Sequence, residues 1–281
     1  MVINMYLEFY GLKETPFNVT PDPSFLFFSK KHKEAFDYFI YGINERKGFL
    51  EITGEIGSGK TTLCRALLNH FEHKNPPVKT AYILNPVLSG VQLLRSIIEE
   101  FGLIPARKDK IGLICQLNKF LLEQLSLGHN AILIIDEAQN LKAAHLEEIR
   151  MLSNLETDKQ KLFQIILVGQ PELREKLKSP NLAQLKQRIT VRFHLSPLDI
   201  NETKNYIHHR LNIAGVDNKV IFTDSSIEEV YSYSKGVPRM INAVCDRALL
   251  LGYVLETQNI NPEIIRRSIN ELEGILYEHN C

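Results

Sequence analysis

An excess of charge of either sign is what this chain most plainly lacks: 33 lysines and arginines stand against 33 aspartates and glutamates, a formal net charge of +0. Bulk electrostatics therefore recruits neither nucleic acid nor an anionic surface, and only a local basic patch could do so. No apolar run approaches the ~18 residues that mark a membrane-spanning helix. The opening MVINMYLEFYGLKETPF has no basic segment followed by a long apolar core, so no secretory signal is expected. Cysteine is sparse. Cys64, Cys115, Cys245 and Cys281 are scattered, with no C-x-x-C pair and no histidine at metal-ligand spacing. That argues against a disulfide framework or a zinc site and for reduced thiols in a cytosolic protein.

What is present is an ordinary globular composition, 44% apolar and 23% charged over 281 residues, enough for one large domain or two modest ones. The most informative stretch is GFLEITGEIGSGKTT, residues 48–62. It reads as a buried strand, a glycine-rich turn and a helix start. Gly54, Gly57 and Gly59 let the backbone bend and approach an anion closely. The helix that follows aims its first N–H groups and the positive end of its dipole at the same point. Lys60 adds a mobile cation for β- and γ-phosphates, and Thr61 a hard oxygen ligand for Mg²⁺. The spacing is that of a P-loop, G-x-x-x-x-G-K-[ST]. Context supports it, because Phe49, Leu50 and Ile52 make the strand and Leu63, Leu67 and Phe71 give the helix an apolar stripe.

The aromatic opening, residues 6–36, holds three prolines between Thr15 and Pro23. It is expected to be too broken for a helix and to wrap the following domain as an ordered loop, with a helix from about Ser29 to Ile43. The basic SKKHK run reads as solvated surface. After the P-loop helix, alternation predicts a strand at 78–84 and helices at 90–101 and 111–127. The run AILII at 131–135 suits a central parallel strand covered on both faces. It ends in Asp136 and Glu137. In an open α/β sheet these acids lie beside the P-loop, Asp136 to hold Mg²⁺ and Glu137 to orient and deprotonate an attacking water.

A helix is expected at 141–155 and a buried strand at 163–169. Gln170, at the end of that strand, is either an amide for the γ-phosphate or lytic water, or a turn residue before Pro171. The segment 171–192 is the most basic of the chain. Within it Arg188 either completes a neighbour's nucleotide site in trans or neutralises the carbonyl end of its helix. A last strand alternates Ile189, Val191, Phe193 and Leu195 with polar residues. From about Ser196 the pattern turns helical, with starts at Asp199, at Thr223 or Asp224, at Pro238 and at Asn261-Pro262. Arg239, at a helix start, serves an anion or a surface ion pair.

With GEIGSGKT, ILIIDEAQ, LVGQPEL, LKQRITVRFHL and GVPRMIN in one order, the chain resembles the AAA+ ATPases. More closely, it looks like the general secretion pathway protein A (ExeA-type) family and its exosortase-associated relatives, whose N-terminal signature FYGLKETPFNVTPDPSFLF resembles. The resemblance implies an α/β P-loop NTPase with a parallel five-stranded sheet of order 5-1-4-3-2 and a C-terminal all-helical lid. It places the nucleotide-binding domain, with its wrapping segment, at 1–195 and the lid at 196–281. Residues Gly54, Glu55, Ile56, Gly57, Ser58, Gly59, Lys60, Thr61 and Thr62 become the ATP grip, and Thr61 with Asp136 the Mg²⁺ side. Glu137 becomes the base, Gln170 the first sensor, Arg239 the lid sensor, and Arg188 the trans arginine with Arg192 as alternative. A homo-oligomer is implied, cytoplasmic or peripheral at the inner membrane, serving a cell-envelope secretion or polysaccharide export apparatus. Longer members continue into a transmembrane segment and a peptidoglycan-binding domain, so direct cell-wall binding is not expected of a chain ending at Cys281. The rivals are a DNA-transaction ATPase, disfavoured by the zero net charge and the absence of a stacking platform, and a nucleotide-switched scaffold with negligible turnover, disfavoured by Glu137.

Overall fold

The computed structural model describes the chain except residues 1, 19, 21, 73–74, 85, 87–88, 158–159, 216–219 and 275–281; Cys281 lies outside the described residues. In chain order the elements are α1 (Val2–Tyr10), α2 (Lys30–Asn44), β1 (Phe49–Gly54), α3 (Lys60–Glu72), β2 (Val78–Ile83), α4 (Gly90–Glu100), α5 (Lys110–Ser126) and β3 (Asn130–Ile135). They continue through α6 (Ala143–Leu152), β4 (Gln164–Gly169), α7 (Pro171–Leu177), α8 (Ala183–Arg188), β5 (Ile189–Leu195) and α9 (Ile200–Ile213). The chain closes with β6 (Ile221–Phe222), α10 (Asp224–Ser234), α11 (Pro238–Val254), β7 (Asn259–Ile260) and α12 (Pro262–Leu272). Two compact units result. One holds Lys30–Glu55 and Lys60–Leu195; the other holds the described residues of Met1–Ser29, Ile56–Gly59 and Ser196–Cys281.

The first unit is built on a five-stranded, all-parallel sheet in the order β2-β3-β4-β1-β5, the expected 5-1-4-3-2 read from the other edge. Its inner strands β3 and β4 are near-continuous apolar runs because both of their faces are covered, while β2 and β5, at the edges, alternate. Ala131, Leu133 and Ile135 of β3, with Ile165 and Leu167 of β4, join one core with residues of α4, α5 and α6. Ile132 and Ile134, with Ile166, Val168, Leu50 and Ile52, join the other, under α2 and α3. The register sets Thr53 beside Gly169 and beside His194, and Ile83 beside Ile135. The carboxyl ends of the strands thus form one edge, and the Asp136 N–H continues the ladder onto the Ile83 carbonyl at 2.8 Å.

One helix is shorter than expected. A 3-10 turn at Ala138–Asn140 precedes the predicted 141–155, and within that range α6 runs only from Ala143 to Leu152. Ser153 Oγ there bonds back to the Arg150 carbonyl at 2.6 Å, so the chain turns before the apolar pattern runs out.

The second unit has its own core, in which α9 to α12 enclose Ile207, Val230, Cys245, Leu249 and Ile265. Its caps follow the sequence: Asp199 and Glu202 form a reciprocal capping box, Thr223 caps α10, Pro238 opens α11 and Asn261 caps α12. A two-residue parallel pairing of β6 with β7 is an addition to the helices. The opening of the chain corrects the sequence reading twice. Val2–Tyr10 is helical, because its first proline comes only at Pro16, beyond the helix. The segment also groups with this unit and not with the sheet: Tyr6, Tyr10, Leu12, Phe17 and Phe25 belong to the helical core. Arg210, buried on α9, donates to the Pro16 carbonyl and to Tyr206 Oη at 2.9 Å and lies over the Phe25 ring.

Candidate active site

The turn after β1 is shaped by glycines where L-residues are strained. Gly57 and Gly59 have φ of 79° and 95°, a region open mainly to residues without Cβ. Lys60 opens α3 from a buried position. Its Nζ donates to the carbonyls of Gly54 and Glu55, both at 2.8 Å, which holds the ammonium over the turn. Burial pushes its pKa down, and the nearby Glu137, Asp136 and Glu55 oppose that shift. Glu55 and Ile56 are exposed, Ser58 is buried, and Thr62 is half-buried in the first turn of α3.

Thr61 and Asp136 meet. Thr61 Oγ1 donates to Asp136 Oδ2 at 2.8 Å, and Tyr82 on β2 donates its hydroxyl to the same oxygen at 2.7 Å. The other carboxylate oxygen, Oδ1, accepts the Glu137 N–H at 2.8 Å. Thr61 and Asp136 offer hard oxygens at adjacent positions, a donor set that fits Mg²⁺. Among the described residues no group of three or more His, Cys, Asp or Glu offers a rival metal site. Tyr82, half-buried, sits beside that carboxylate, and burial first, then Asp136, raises its phenol pKa.

Glu137 leaves the strand in the left-handed region, φ 53° and ψ 35°, a conformation that costs a non-glycine residue about 1 kcal/mol or more. Its Oε2 accepts from the Gln139 amide and from Gln170 Nε2, the latter at 3.1 Å. Gln170 is therefore more than a turn residue before Pro171: the end of β4 places its amide on the carboxylate at the end of β3.

The expected arginines are elsewhere. Arg188 Nη1 donates to Ser153 Oγ at 2.7 Å and to Asn154 Oδ1 at 2.5 Å, with the Arg150 carbonyl at 3.5 Å. It thus neutralises a helix end, but that of α6 and not of its own helix. Arg192 pairs with buried Glu51 at 3.3 Å. Arg239 belongs to the helical unit, where its N–H donates to the Gly57 carbonyl at 3.3 Å.

Two side chains in the acid cluster were missed from sequence. Tyr82 carries no motif, and only the β2–β3 register brings it to Asp136. Gln139 stood in view within IDEAQ, two residues past the acid, but nothing in that spacing says that the chain doubles back.

Residues 43–177 match a family described as an AAA domain. General secretion pathway protein A of Aeromonas hydrophila is 42% identical over 275 residues, covering 96% of this chain and 49% of that protein. The chain therefore spans about half the length of this curated relative. Among solved structures, Cdc6p of Pyrobaculum aerophilum superposes with a TM-score of 0.66 at 16% identity, over 92% of this chain and 72% of that one. Aeropyrum pernix ORC2 in its ADPNP-ADP complexes gives 0.64 at 18%, over 89% and 68%. A RuvB mutant of Thermotoga maritima gives 0.58 at 19%, over 88% and 72%. At such identities these three show a shared fold.

Proposed function

Because the chain belongs to the AAA+ ATPases of the general secretion pathway protein A type, we propose that it hydrolyses ATP, with Mg²⁺, to ADP and phosphate. The reading is carried by one observation. The ends of β1, β3 and β4 bring Lys60, the Thr61–Asp136 pair and the Glu137–Gln170 pair onto one edge of the sheet. Residues 54–62 cradle the phosphates, and Lys60 exchanges its bonds to two main-chain carbonyls for bonds to phosphate oxygens. Thr61 and Asp136 would hold Mg²⁺, which would supply charge neutralisation for the phosphates. Glu137 takes the proton of the attacking water, and Gln170 donates to that base. Arg239 acts as the lid sensor and Arg188 as the arginine given to a neighbouring copy in a homo-oligomer.

The protein uses this cycle to drive or license assembly of a cell-envelope secretion or export apparatus, from the inner face of the membrane. Among the described residues no helix is long and apolar enough to cross a membrane. Functionally the sheet unit binds nucleotide and residues 196–281 form its lid.

Lys60→Ala is expected to abolish binding of a fluorescent ATP analogue. Glu137→Gln is expected to keep that binding while turnover falls by roughly 10²-fold or more. Full hydrolysis by either variant sinks the assignment. The Glu137→Gln protein, captured with ATP bound, is also the form with which to ask which envelope components accompany it.

A further inference from the structure

Gln139, like Tyr82, is a side chain of the acid cluster that the family resemblance leaves without a role. It sits on the 3-10 turn Ala138–Asn140, and both ends of its amide are used. Its Nε2 donates to Glu137 Oε2, and its Oε1 accepts the Gln170 backbone N–H at 3.1 Å. A flipped amide would set its NH₂ against the Gln170 N–H, so the network fixes the orientation. The turn itself does not need this side chain. It is closed by the Asn140 N–H on the Glu137 carbonyl at 2.9 Å and the Leu141 N–H on the Ala138 carbonyl at 3.1 Å. Lys176 Nζ clamps it further, through the carbonyls of Gln139 and Leu141. Every one of those acceptors is main chain.

The space for the amide is also specific. A Cβ on Gly169 would lie 2.8 Å from Gln139 Oε1, so a glycine at the end of β4 is what lets the amide reach the Gln170 N–H. Glu137 has a strained backbone and no cap of its own, and without a tether its carboxylate rotates about χ3 freely. Gln139 and Gln170 both bond Oε2, and among the described residues no hydrogen bond reaches Oε1. One oxygen is thus anchored and the other is left for a water proton.

We propose that Gln139 is a positioning residue for the Glu137 carboxylate, tying the direction of the base to the end of β4 and the start of α7. This rests on the ATPase reading. It adds that orientation of the base is set by Gln139 as well as by Gln170. A misplaced base loses rate and not affinity, since the tether touches no phosphate-binding atom.

The test compares Gln139→Met, similar in length but without either amide group, with Gln139→Glu. The second keeps an oxygen for the Gln170 N–H, removes the donor to Glu137 and sets a carboxylate against the Glu137 carboxylate in its place. Steady-state ATPase rates, the affinity for a fluorescent ATP analogue and the melting temperature are measured on the full chain. Both variants are expected to melt cooperatively, to bind the analogue within about twofold of the unsubstituted protein, and to keep KM while kcat falls roughly 10- to 100-fold. Wild-type kcat in Gln139→Glu would overturn the proposal, because the role would then be structural support of the Gln170 N–H. So would a loss confined to affinity or KM. Should Gln139→Met not fold, Gln139→Glu alone decides. An unsubstituted protein that binds ATP without turnover overturns the ATPase reading and this one with it; an active protein with an active Gln139→Glu variant overturns this one only.

Discussion

At the scale of single residues, polar groups in this fold are placed by their neighbours across the sheet. Glu51 is the clearest case. It is a carboxylate inside a fully buried strand, and the β1–β5 register puts Arg192 opposite it. Burial raises its pKa, and Arg192 and then Arg174 offset part of that rise. With the folded pKa above the unfolded one, the folded state binds its proton more tightly, so stability falls as pH climbs through that window. Glu51→Gln removes this dependence. Its melting temperature relative to the unsubstituted protein should therefore be higher at about pH 8 than at about pH 4.5, by roughly 2–4 °C for each kcal/mol of difference. Equal offsets at both pH values would refute the burial argument. The sequence alone could not supply this pairing. It placed Arg192 on the polar face of a strand, and only the parallel neighbour turns that face toward a buried acid. The same holds for Tyr82 and Gln139, whereas the positions of Lys60, Thr61, Asp136 and Glu137 were legible because they follow from local spacing after a strand.

At the scale of elements, strands and caps were read correctly where one local rule decided them. AILII is apolar throughout because two cores claim alternate residues, and the helix starts at Asp199, Thr223, Pro238 and Asn261 carry their own capping chemistry. The opening segment had no such rule. Its destination depends on where an apolar face finds a partner, and that partner is almost the whole chain away: Tyr10 Oη donates to the Leu249 carbonyl at 2.9 Å and the Thr257 carbonyl at 3.3 Å. Tyr10 is fully buried. Tyr10→Ala should thus destabilise the helical unit by about 3–5 kcal/mol, and Tyr10→Phe by about 1 kcal/mol, both read from urea unfolding. A loss below about 1 kcal/mol for Tyr10→Ala would mean that α1 is an appendage and not part of that core.

At the scale of the whole molecule, the open matter is how a site completed by a neighbour would report on assembly. In one chain Arg188 is spent on the end of α6, so a trans role requires it to leave Ser153 and Asn154 when copies meet. Arg188→Ala protein, with an intact pocket, mixed with Lys60→Ala protein, with an intact arginine, should recover part of the ATPase rate in proportion to mixed contacts. Absence of recovery at every ratio would remove Arg188 from the trans role. The sequence by itself determined the glycine-rich turn, the positions of the two acids, the parallel α/β class and the helix starts, since each depends on residues within a turn or a strand of one another. Tertiary structure alone decided that the N-terminal segment belongs to the helical core, that Arg192 faces Glu51, and that Gln139 and Gln170 converge on Glu137. Those are contacts between distant residues, fixed by strand register and by burial, for which no local pattern in the chain carries a signal.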